Sequence, residues 1–171
     1  MRADELRAIQ KPIKDRYRDQ PEAAQITLTA EGHLDEGITC SVATGSAIAR
    51  AGLHPATGGN GLALCSGDML LQALVACAGV TLRSVATSLG IPVSGGTVRA
   101  EGELDFRGTL ALSKEVPVGF SAIRLRFELD CDATDEQLAT LLRLTERYCV
   151  VYQTLARSPQ LSVFRSRMNG G

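Results

Sequence analysis

The stretch Ser66–Gly90, SGDMLLQALVACAGVTLRSVATSLG, is the longest nearly continuous apolar segment of the chain and reads as one helix. Placed at about 100° per residue, Asp68, Gln72, Ala76, Gly79 and Arg83 fall on one narrow polar and small stripe. Leu70, Leu71, Leu74, Val75, Val80, Leu82 and Val85 take almost all the rest. A helix that is apolar nearly all round is a buried helix. Ser66 is the expected N-cap, and Asp68 in the first turn faces the positive end of the helix dipole. Cys77, at the middle, lies off the polar stripe among Leu70, Ala73 and Val80. A thiol there is either a nucleophile or core filling.

On either side the pattern changes to period two. Ile26, Leu28 and Ala30, then Ile38, Cys40 and Val42, alternate with polar or small residues around the turn chemistry of GHLDEG, which predicts a β-hairpin with Cys40 as a core thiol. Residues 45–63 have little regular pattern. Their TGGNG tract (57–61) is followed by no Lys, so it reads as a flexible loop rather than a phosphate cradle. Beyond Gly90 and Pro92, Val98, Ala100, Gly102, Leu104 and Phe106 alternate with charged residues, as do Ile123, Leu125, Phe127, Leu129 and Cys131. Such strands form antiparallel sheets with one apolar face, and the Ser66–Gly90 helix is its obvious cover. Thr134 and Gln137 form a capping box that opens a helix to about Tyr148, with Leu138, Leu141, Leu142 and Thr145 on its stripe. Cys149 precedes a short helical segment halted by Ser158-Pro159, and Leu161–Phe164 reads as a last strand. The fold class is α+β, with helices packed on a curved antiparallel sheet. Residues 1–24 form a polar N-terminal arm, with a short amphipathic helix expected over 3–10, and residues 25–171 form the domain.

At 171 residues with 44% apolar content the chain can bury a real core. A net charge of −1 and the absence of Trp argue against nucleic-acid binding. No run of about 18 uninterrupted apolar residues and no secretory h-region is present, so the expectation is a cytoplasmic protein without a membrane partner. The five cysteines form no CxxC pair or zinc spacing, and His33 and His54, the only histidines, have no ligand partner at metal-binding spacing. No metal or other cofactor is expected. In a reducing compartment a disulfide from this set would be transient rather than structural. Cys149, at a helix start, gains thiolate stabilisation from the helix dipole.

The stretch SGDMLLQALVACAGVTLRSVATSLGIP, the strands VRAEGELDFRG and IRLRFELD, and the segment DEQLATLLRLTERYCVVYQTL together resemble the OsmC/Ohr family. Its members carry one cysteine in an LLxALxAC-type motif of the central helix and a second opening a late helix. Cys77 and Cys149 match these, and the resemblance covers roughly residues 25–167. It implies an OsmC-like fold, an intertwined homodimer with sites at the interface, and thiol-dependent reduction of organic hydroperoxides. Cys77 would then attack the peroxide and Cys149 would resolve its sulfenic acid as a disulfide, which an external dithiol reductant reopens. An apolar pocket around Cys77 would suit alkyl or lipid hydroperoxides. The family also uses a helix-start Glu and a hairpin Arg. Here the Glu position falls on Gly67 or Asp68, and Asp68 lies about 13 Å along the helix from Cys77. It is therefore either a stand-in acid or a dipole-compensating residue. The hairpin offers His33, a substitute donor or a surface turn residue, while Arg16, Arg18 and Arg50 are other possible donors. The alternative function is an OsmC-fold dimer of low peroxidase activity that binds an apolar small molecule in the same pocket.

Overall fold

The structure is a computed structural model that describes residues 2–20, 32–34, 39–44 and 47–166. Helix α2 (Ser66–Leu89) is the longest element. It begins one residue earlier than the sequence suggests: Cys65 is its N-cap, without a side-chain bond, and Ser66 is already helical. Gly90 ends it in the left-handed conformation (φ 69°), its N–H turned back to the carbonyls of Ala86 and Thr87, which is why a glycine stands there. By length and composition α2 is apolar enough to cross a membrane. In the fold, however, its Leu74, Ala78, Leu82 and Ala86 stripe is covered by other elements of the chain.

The sheet partner of α2 is an antiparallel pair, β5 (Val93–Glu103) and β6 (Ala122–Cys131), in register from Val98↔Phe127 to Glu103↔Ala122. Ile123, Leu125, Phe127, Leu129 and Cys131 face inward, as their alternation requires. Phe106 does not continue the strand. Asp105 accepts from the Arg107 amide and caps a short helix, α3 (Phe106–Thr109), which ends the β pattern there. Helix α4 (Asp135–Tyr148) opens with the predicted capping box: Thr134 accepts from Gln137 N–H and the Gln137 side chain from Thr134 N–H. Helix α5 (Val150–Ala156) follows after one residue, Cys149.

Two clusters make the core. Leu82, Ala86, Ile91 and Leu141 form one, closed by Val93, Phe127 and Leu129. Leu74, Ala78 and Cys149 form the other, against Val98, Ile123, Leu125 and Tyr152. The buried hydroxyl of Thr145 between them donates to the Leu141 carbonyl at 2.8 Å.

A second sheet orders β1 (Gly32–Leu34), β2 (Thr39–Thr44), β3 (Ala47–Gly52) and β4 (Leu64–Cys65). The hairpin β1–β2 exists, but Gly32–Leu34, expected in its turn, are strand residues pairing with Cys40–Val42. The first strand expected over 26–30 lies outside the described residues, as does the side chain of Cys40. The patternless segment 45–63 contains β3, antiparallel to β2, and a 3-10 turn over Pro55–Thr57 that His54 caps by accepting from Ala56 N–H. Near the N-terminus α1 (Ala3–Asp19) runs well past residue 10 and through Pro12, with Lys11–Asp15 among its exposed ion pairs.

Two expectations fail at the surface. Leu161–Phe164 forms no strand, and Leu161, Val163 and Phe164 stand 80%, 96% and 91% exposed. Helix α2, expected to be buried all round, is covered on one face within the chain, and Val80 is 73% exposed.

The core hierarchy is testable by denaturant unfolding at fixed protein concentration. Leu141→Ala, at a fully buried position, should cost about 2–5 kcal/mol, and Thr134→Ala, which breaks the capping box, about 1 kcal/mol. A loss from Leu141→Ala no larger than that from Thr134→Ala would contradict this packing.

Candidate functional site

Successive turns of α2 put Leu74, Cys77, Ala78 and Thr81 on adjoining positions of one face, since residues three and four apart are neighbours on a helix. The α4–α5 break comes down on this face. Cys149 is fully buried against Leu74 and Ala78, and Val151 and Tyr152 pack on the same cluster beside half-buried Cys77. Ala78 makes the approach possible, because it presents only a methyl group where the second helix arrives.

Local backbone needs explain the break. Cys149 is extended (φ −74°, ψ 109°), serving as C-cap of α4 and N-cap of α5. Its N–H still bonds the Thr145 carbonyl, and its carbonyl accepts from Gln153 N–H, both at 2.9 Å. The Gln153 side chain donates to the Glu146 carbonyl, one of the acceptors that a helix end leaves open. These bonds satisfy the backbone groups of the turn.

The two thiols sit in opposite electrostatic settings. Burial pushes the Cys77 thiol up. Against it, the Val151 amide, the Cys149 thiol, the Val150 amide and the Thr81 hydroxyl stabilise the thiolate, and the balance holds Cys77 below the ordinary thiol range. Burial also pushes Cys149 up, and the Tyr152 amide offsets part of this. Neighbouring Cys77, as hydrogen-bond acceptor and as charge, pushes it up again, and Cys149 stays above the ordinary range despite the Val151 amide. One thiol is set to ionise while its neighbour keeps its proton. The lower thiol is the more nucleophilic of the two at a given pH.

Beside the pair lies a cavity of about 340 Å³ lined by Leu74, Ile123, Leu125, Tyr152, Leu155 and, at the start of β6, Phe120. Leu74, Ile123, Leu125 and Tyr152 also belong to the cluster around the thiols, so the cavity and the sulfurs share a wall.

Of the residues singled out in the sequence, Cys77 and Cys149 are brought together. Asp68 is not brought to them: it stands in the first turn of α2 and lines a separate hollow with Leu71, Gln72, Val75 and Ala76. His33 sits on β1 in the other sheet, opposite Ser41. Arg50 is on exposed β3, and the side chains of Arg16 and Arg18 lie outside the described residues. Sequence reasoning missed Thr81 and the Val150 and Val151 amides. Only the four-residue spacing of Cys77 and Thr81 could have pointed to the hydroxyl. Among the described residues no group of three or more His, Cys, Asp or Glu could hold a metal ion.

Residues 58–164 match the family described as OsmC-like protein. No curated protein matches the sequence. Among solved structures, an OsmC-like protein from Mycoplasma pneumoniae superimposes with a TM-score of 0.66 at 14% identity, covering 78% of this chain and 90% of that one. An organic hydroperoxide resistance protein OsmC from Legionella pneumophila gives 0.61 at 18% identity, covering 79% and 92%. An organic hydroperoxide resistance protein from Elizabethkingia anophelis gives 0.58 at 16%, covering 79% and 91%. At such identities the likeness establishes the fold: an α+β, OsmC-like arrangement of a long helix and small sheets.

Because the thiolate is favoured at Cys77 and the thiol at Cys149, alkylation of Cys77 should rise with pH around a midpoint below that of a free thiol (about 8.5). Cys149 should titrate above it. Thr81→Val removes one donor from the thiolate and should move the Cys77 midpoint upward. Iodoacetamide labelling followed by peptide mass spectrometry reads both midpoints. A Cys77 midpoint at or above the free-thiol value would contradict the assignment.

Proposed function

The chain belongs to the OsmC-like protein family, and on that premise we propose that it is a thiol-dependent reductase of organic hydroperoxides acting through Cys77 and Cys149. The observation that carries this reading is the contact of a depressed thiol with a raised one at the wall of an apolar cavity. The Cys77 thiolate attacks the outer oxygen of ROOH; the O–O bond breaks, the alkoxide leaves and takes up a proton as the alcohol, and Cys77 becomes a sulfenic acid. The Cys149 thiol then displaces water from that sulfenic acid, forming the Cys77–Cys149 disulfide. An external dithiol reduces it by two exchange steps and is itself oxidised to a disulfide. In that middle step the proton given up by Cys149 leaves with the departing hydroxide as water.

Two copies form the working unit in this proposal, intertwined so that their curved sheets enclose both central helices. Support comes from the apolar surface that one chain leaves bare: Val80 on α2, Val150 at the α5 start, and Leu161, Val163 and Phe164 beyond α5. Large apolar side chains left this exposed are what an interaction surface would cover. A reducing, cytoplasmic setting supplies the dithiol.

One observation favours the second reading, a dimer that binds an apolar small molecule and turns peroxide over slowly. Every described group acting on the Cys77 thiolate is neutral, and Asp68 lies elsewhere.

Purified protein with excess dithiol should consume an alkyl hydroperoxide. Cys77→Ser should reduce the rate to background, and Cys149→Ser should leave a sulfenic acid on Cys77 that dimedone traps. A wild type no faster than Cys77→Ser would leave only the binding reading. For the assembly, sedimentation should report a dimer, and Val80→Asp should convert it to monomer; a monomeric wild type would sink the dimer.

A further inference from the structure

The connection between α3 and β6 contributes Phe120 to the lining of the cavity beside the thiols. Two glycines fix its place. A Cβ built on Gly102 would lie 2.4 Å and 2.6 Å from two carbons of the Phe120 ring, so the ring occupies the space over this inward-facing position of β5. A Cβ on Gly67 would come within 3.4 Å of the ring tip, so the ring also abuts the first turn of α2. Gly67 precedes Cys77 by ten residues, about 15 Å along a helix axis. The cavity therefore runs beside α2, with Leu74, Leu125 and Tyr152 at its thiol end and Phe120 at the other.

We propose that Phe120, seated on Gly102, forms the end wall of this cavity and sets the length of apolar chain that can extend from Cys77. The inference rests on the reading of Cys77 as the reacting thiol and adds a specificity-determining residue to it. Between the ends, the chain would lie against Leu74, Ile123, Leu125 and Leu155, and each methylene buried there multiplies affinity about fourfold. At Phe120 the gain stops, because a longer chain meets the ring or turns back toward water. Gly102 is part of the device. Any side chain there must displace the ring, and with α2 at Gly67 on another side, the cavity is the space left to receive it.

Cys77 alkylation by N-alkylmaleimides, from N-ethyl to N-dodecyl, reads this length directly by mass spectrometry of the Cys77 peptide. Each protein's rates are normalised to its own N-ethyl rate. In the wild type the rate should climb with chain length and then level off. Phe120→Ala should carry the climb to longer chains, gaining up to about fourfold per added methylene beyond the wild-type plateau. Gly102→Ala should bring the plateau to shorter chains. Phe120→Leu gives the direction of Phe120→Ala in a smaller step if the larger deletion unfolds the chain. A wild-type rate indifferent to chain length, or a plateau unmoved by the Phe120 variants, overturns the proposal. Alkylation needs no peroxide, so the two readings fail separately. A plateau that follows Phe120 in a protein without hydroperoxide turnover removes the peroxidase and leaves the gauge. Turnover with an unmoved plateau does the reverse.

Discussion

Along α2 the buried residues are spaced four apart and alternate in size: Leu74, Ala78, Leu82, Ala86. Spacing by four gives a single ridge, and the alternation gives that ridge two notches. Leu82 and Leu74 supply apolar area to the β5–β6 sheet and to α4. Ala78 and Ala86 let backbone approach. Ala86 makes room for the chain reversal at Gly90 and Ile91, whose N–H bonds the Ala86 carbonyl. Ala78 makes room for Cys149. A larger side chain at 78 would occupy the volume that Cys149 fills, and the second thiol would lose its place beside the first. The pairing of the two thiols therefore depends on a packing choice made one residue from Cys77.

The single extended residue between α4 and α5 does several jobs. It ends one helix and starts another, keeps its own backbone groups bonded through Thr145 and Gln153, and turns two fresh amides, of Val150 and Val151, toward Cys77. Continuing the helix through Cys149 would have tied those amides to the carbonyls four residues back. They are available to a thiolate because the helix is interrupted. Fold and reactivity share this one backbone irregularity.

What the sequence made legible follows from how local each signal is. The alternation in β6, the Thr134–Gln137 capping box and the Cys149 helix start are set by neighbouring residues, and all three are present in the structure. The strand β3 was illegible because Ala47–Gly52 is rich in small residues, and its pairing with β2 is a tertiary decision. Phe106 left its strand because Asp105 captured the Arg107 amide, a local cap that outcompeted the period-two pattern. The exposure of Val80 and of Leu161–Phe164 could not be read either. Hydropathy says that a side chain avoids water but not whether its own chain supplies the cover. At the site, the cysteine pair was legible from motif. The donors to Cys77 were not, since main-chain amides leave no trace in side-chain identity.

The chemistry of those donors bears on the cavity. A cation beside Cys77 would depress the thiol further, but it would also carry hydration or a counter-ion into a space walled by Leu74, Ile123, Leu125 and Leu155. The groups that act on the thiolate here are two amides and a thiol from the α4–α5 break and a hydroxyl from α2 itself, all neutral. They shift the thiol less than a charge would, yet they bring no charge to the cluster that Leu74, Ile123, Leu125 and Tyr152 share with the cavity. On the proposed reading, the arrangement gives up part of the activation of Cys77 and keeps charge away from the approach of an apolar substrate. A site built this way discriminates more by the shape and length of what reaches Cys77 than by the strength of its thiolate.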